Sequence, residues 1–161
     1  MCAIRRERDE NEYPTLGIFR PKVIKRLVIS PADPPDWTPA QKAILSQKSF
    51  GFDAKAPKEE LQKIPFDFFY EFVCDEPGCR GHRMSCTDWE MAEAFRKWRK
   101  EYGDADWESA FREKFENQMI NLFDTGFYVG TMHGHPKNWI IVGLFYPPKP
   151  KPLPLFSALI S

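Results

Sequence analysis

The chain has 161 residues, 42% of them hydrophobic and 15% aromatic, with 14 Phe and 5 Trp. That apolar load excludes a disordered protein and suffices for one domain with a packed core. Lys and Arg number 23, as do Asp and Glu; the zero net charge excludes capture of nucleic acid or anionic membrane by bulk charge, though not by a local basic face.

Residues 1–16 mix Arg5, Arg6 and Arg8 with Glu7, Asp9, Glu10 and Glu12 and read as a charged N-terminal arm. Residues 22–29 are rich in aliphatic and β-branched side chains and stop at Pro31, which predicts a strand. After the Asp33-Pro34-Pro35-Asp36 loop, Thr38 and Pro39 suit the cap and first turn of a helix to about residue 48, with Ala40, Ala43 and Ile44 inward. Residues 51–58 connect onward.

Residues 64–74 carry the clearest strand pattern. Ile64, Phe66, Phe68, Tyr70, Phe72 and Cys74 share one face, and Pro65, Asp67, Phe69, Glu71 and Val73 the other. Thr87 and Glu90 have the spacing of a capping box. The helix they open carries Met91, Phe95, Trp98 and Tyr102 as an apolar stripe and ends at Gly103. A second helix, starting near Asp104 or Asp106, presents Trp107, Phe111, Phe115 and Met119, each four residues apart. Strands at 126–132 and 139–145 flank a His133–Asn138 hairpin connection. Residues 147–161 form a Pro-rich tail of polyproline II character that includes a Pro-x-x-Pro pattern at Pro147 and Pro150.

These elements predict one α+β domain over 17–146: a small mixed or antiparallel sheet, two to three helices packed on one face, and a Cys/His metal loop. No apolar run nears the roughly 20 residues of a membrane span, so no membrane partner is expected. The charged start lacks the apolar stretch of an export signal, and three of the four cysteines crowd together. Reduced thiols and a cytoplasmic location follow.

Cys74, Cys79, His82 and Cys86 supply four soft or borderline ligands in thirteen positions, with Pro77-Gly78 and Gly81 as turn residues. Tetrahedral zinc needs four such donors on one point, and the donor types argue against magnesium or calcium. The ligand order is that of a zinc knuckle but every interval differs, so the knuckle's RNA recognition does not carry over. A structural zinc stitching strand to helix is the expected role. Two alternatives stand beside it: no metal, with Cys74 ending a strand inside the core and Cys86 packed under the helix start, or a partial site in which Cys74, Cys79 and His82 are joined by His133 or His135.

Two further groups stand out. His133 and His135 share one turn and, with Asp88 and Glu71, offer acid, base and hard-cation ligands for a metal-dependent nuclease or phosphodiesterase. Arg80, Arg83, Arg96, Lys97, Arg99 and Lys100 surround the metal loop and the following helix, a basic face suited to phosphates. The sequence carries neither a phosphate loop nor a nucleophile elbow. Three functions are therefore expected as competitors: a zinc-containing module binding nucleic acid through the basic face, or a protein partner through the same region; the metal-dependent phosphodiesterase; and a structural subunit of a larger assembly.

Overall fold

A computed structural model describes residues 16–46, 63–132 and 135–150. Its strands are β1 (Leu16–Phe19), β2 (Val23–Pro31), β3 (Phe66–Val73), β4 (His82–Cys86), β5 (Gly126–Met132) and β6 (His135–Phe145). They form one six-stranded sheet in the order β1-β5-β6-β4-β3-β2. Every neighbouring pair is antiparallel except β4 and β6, which run parallel and meet at Cys86 and Ile141. The sheet is thus mixed, and the α+β class predicted from the residues is the one observed.

The alternation of β3 explains its central place. Phe68, Tyr70, Phe72 and Cys74 are all buried, while the intervening positions are exposed or half-buried. A single helical arm covers that face. It comprises α2 (Trp89–Arg112), a π-helical stretch (Glu113–Gln118) and a last short turn, α3 (Met119–Asn121). Trp107, Phe111, Phe115 and Met119 are buried as their spacing predicts, and Phe111 stacks on Phe68 with ring centroids 4.9 Å apart. Four such aromatic and thioether side chains, fully removed from water, contribute on the order of 6–12 kcal/mol of gross burial energy.

Gly103 divides the arm where the sequence places a helix end. Its φ of 80° and ψ of −179° lie outside helical space, in a region that costs a side-chain-bearing residue heavily. Inside the π-helical stretch, the Tyr70 hydroxyl donates to the Phe115 carbonyl at 2.6 Å. The edge strand β2 is tied to this stretch and to the residue just before it. Leu27 donates its amide to Glu116 at 3.1 Å, and Arg112 donates to the Leu27 carbonyl at 3.0 Å. The pairing of β2 with β3 shifts register just before this point, between Ile24 and Arg26.

Several expectations are corrected. The capping box is not formed: Asp88 is the N-cap of α2 and accepts from the Met91 amide at 2.9 Å. Thr87 is drawn instead to β6, where its amide and hydroxyl both donate to the Ile141 carbonyl. Tyr102, read as part of the stripe, is 47% exposed because Gly103 ends the turn beside it. In α1 (Pro39–Ser46), Ala40 and Ala43 are exposed, not inward, while the side chain of Ile44 lies outside the described residues. β1 has no counterpart among the predicted elements; its four residues pair with β5. The tail's first residues are drawn onto the body: Asp124 donates its amide to the Pro147 carbonyl at 2.9 Å, and Lys149 donates to Leu122 at 3.2 Å. Residues 1–15, the end of the helix at 47–48, the connection 51–58 and the tail beyond 150 lie outside the described residues. Among the described residues, no helix is long and apolar enough to cross a membrane.

Candidate metal centre

The β3–β4 hairpin builds the cluster from its own geometry. Cys74 follows β3 on the inward face that Phe72 shares, and His82 opens β4 opposite Phe72. The turn between them folds back through Gly78 at a φ of 80° and Gly81 at 107°, and the Cys79 amide donates to the Glu76 carbonyl at 3.1 Å. A side chain with a Cβ is strained at such positive φ, so these glycines permit the reversal that returns Cys79 to Cys74.

Three donor atoms result within 4.8 Å of one another: the sulfurs of Cys74 and Cys79 and a ring nitrogen of His82. His82 Nε2 lies 3.2 Å from Cys79 Sγ and 3.3 Å from Cys74 Sγ. The sulfur-to-nitrogen edge of a tetrahedral zinc site, from Zn–S of 2.3 Å and Zn–N of 2.0–2.1 Å, is about 3.6 Å. A shift of a few tenths of an ångström opens the cluster to that size. The residues therefore fit a metal ion, and their thiolate and imidazole character suits zinc, copper(I) or iron more than a hard cation.

Local electrostatics favour the ligating form. Amide donors from Cys74 and Gly81 hold the Cys79 thiol below its ordinary value, as hydrogen bonds to a thiolate must. Cys74 is 5% exposed, while Cys79 and His82 are half-buried. The His82 ring packs on Phe72 with centroids 5.2 Å apart, which fixes one face of the imidazole.

Cys86 does not join this group. It stands four residues beyond His82 in an extended strand, roughly 13 Å along β4 at about 3.3 Å per residue. Its thiol points into the core, 3.5 Å from the Met91 sulfur, and burial pushes it up to about 12. The sequence spacing had no means of showing that a strand, and not a loop, carries the chain from His82 to Cys86.

Among the described residues, the carboxylates of Asp88 and Glu71 and the imidazole of His135 are not brought together. Asp88 is buried at the far end of β4, its two oxygens accepting from Met91 and Leu144, both at 2.9 Å. Glu71 lies on the opposite sheet face. Arg26 binds it through both carboxylate oxygens at 2.7 and 3.2 Å, and this hydrogen bond holds the carboxyl below its usual range. His135 is exposed at the start of β6 and outside the metal cluster, and His133 lies outside the described residues.

The six basic residues divide between two surfaces. Arg80 is exposed in the metal loop, and Arg83 lies on the outer sheet face, its guanidinium 4.4 Å from the Phe69 ring centroid and 3.3 Å from the Ser30 hydroxyl. Arg96, Lys97, Arg99 and Lys100 belong to α2, across the sheet, where Arg96 pairs with Glu93 and Arg99 with Asp104. Sequence reasoning missed Lys25 and Arg26, which the β2–β3 pairing sets beside the loop; the Lys25 ammonium sits against Gly81.

The chain belongs to a family described as a domain of unknown function (DUF8757), whose model matches residues 1–159. No curated protein and no solved structure matches it.

Proposed function

We propose that the chain is a zinc-binding module whose metal, held by Cys74, Cys79 and His82, orders the β3–β4 loop and presents its basic residues to nucleic acid. The convergence of two thiols and an imidazole carries the zinc half of this reading. A reducing compartment such as the cytoplasm keeps those thiols available. A bound ion would neutralise the thiolates and rigidify a loop that otherwise depends on two glycines.

The nucleic-acid half rests on Arg83 and Phe69. A guanidinium laid over a half-buried ring, beside exposed Lys25 and Arg80, combines phosphate contact with a stacking surface. Asp75 and Glu76 in the same turn limit the positive field, so the contact expected is short and salt-sensitive. The α2 cations play no part in it.

The test measures zinc per chain and, on the same zinc-loaded protein, anisotropy of a labelled single-stranded oligonucleotide across a salt series. One zinc per chain is expected, with binding that Arg83→Ala weakens several-fold and that falls as salt rises. Absence of binding at low salt with zinc present would remove the nucleic-acid half and leave the metal module.

A further inference from the structure

We propose that Cys74 and Cys79 form a thiol–disulfide switch, in which the reduced pair holds the metal and the oxidised pair expels it; this rests on the metal-site reading above. The two sulfurs lie within 4.8 Å, and His82 Nε2 touches both. A disulfide needs a sulfur separation of about 2.05 Å and Cβ atoms about 3.8 Å apart. The ring it closes spans only Asp75 to Gly78, and among the described residues outside the turn's own neighbours nothing lies within 4 Å of where a Cβ on Gly78 would stand.

The pair is asymmetric in the way a switch requires. Cys79 is half-buried and open to a small oxidant, whereas Cys74 is buried behind it. With hydrogen peroxide as the oxidant, Cys79 Sγ attacks one peroxide oxygen, the O–O bond breaks, and the departing hydroxide takes a proton to leave as water. Cys79 is then a sulfenic acid. Cys74 Sγ attacks that sulfur, the S–O bond breaks, and a second hydroxide leaves as water with the second proton. From the zinc-loaded pair, two thiolates, one peroxide and two protons from solvent become one disulfide and two waters, and the zinc ion is released. Two of the three ligands are consumed, and His82 alone does not retain an ion. Cys86 is a spectator, its thiol turned to Met91 on the core side.

The experiment treats the full zinc-loaded chain with hydrogen peroxide, then reads released zinc with a metallochromic dye and the cysteine pairing by peptide mapping. One equivalent of zinc is expected for each Cys74–Cys79 disulfide formed, and a thiol reductant should restore binding. Cys74→Ser, which removes the resolving thiol, should yield no disulfide at Cys79 within the loop. A zinc-bound chain whose Cys74 and Cys79 stay free thiols, or pair with other cysteines, would overturn the switch while leaving the metal site standing. A chain that forms the disulfide but never binds zinc would overturn the switch together with the metal reading beneath it.

Discussion

The Leu144 amide donates to Oδ2 of Asp88 at 2.9 Å, so one carboxylate both caps α2 and satisfies β6. Asp88→Ala removes a cap and strands two amides, one of them in the sheet. A loss of roughly 2–3 kcal/mol is expected in chemical denaturation. Glu90→Ala, which touches neither amide, should cost clearly less. No loss at Asp88→Ala would mean that neither amide depends on its carboxylate.

Metal content separates the ligands from the bystander. Cys74→Ser, Cys79→Ser and His82→Ala should each abolish stoichiometric metal in elemental analysis of the desalted protein. Cys86→Ser should keep it. Chelation of the wild-type chain should lower its melting temperature, because an ion that binds only the folded state stabilises that state. Retention of metal by Cys79→Ser would place the ion elsewhere.

Tyr146 couples the end of β6 to α2. Burial first, and then its hydrogen bond to Glu90 at 2.6 Å, raise the phenol from 10 to about 12. A raised value in the folded state stabilises the fold fully below the unfolded value. That contribution fades as pH climbs from about 10 to about 12. In a magnetic-resonance titration of ring-labelled tyrosine, Glu90→Gln should bring the Tyr146 transition down. A wild-type Tyr146 that ionises at its ordinary value would contradict the coupling.

The π-helical stretch answers to Tyr70. Tyr70→Phe leaves the buried Phe115 carbonyl without its hydroxyl donor at little change in volume. The expected destabilisation is about 1–2 kcal/mol, measured by urea unfolding. No change in midpoint would mean that the carbonyl is satisfied without the phenol.

The parts legible in the sequence are those governed by local period and by glycine. The alternation of residues 66–74 sets which side of β3 is buried, and Trp107, Phe111, Phe115 and Met119 repeat every four residues and all reach the core. Gly103 marks the break because few other residues tolerate its φ. The misread parts depend on distant partners. Thr87 satisfies the requirements of a capping box in sequence, yet Ile141 claims both its amide and its hydroxyl. Cys86 has the spacing of a ligand, but pairing with Phe68 and Ile141 stretches β4 and carries it away from His82. Arg83 and Arg96 are near in sequence and lie on opposite sides of the sheet, a separation that charge counting does not register.

The central seat of β6 has a consequence for synthesis on the ribosome. β2, β3 and β4 are consecutive antiparallel neighbours and have their mutual partners as soon as they emerge. β1, made before them, finds its neighbour only when β5 appears. Until residues 135–145 follow, the growing chain holds two separate ribbons with nothing to zip them side by side. β6 is the keystone, and a polypeptide interrupted before it would expose two raw edges to chaperones or to other nascent copies.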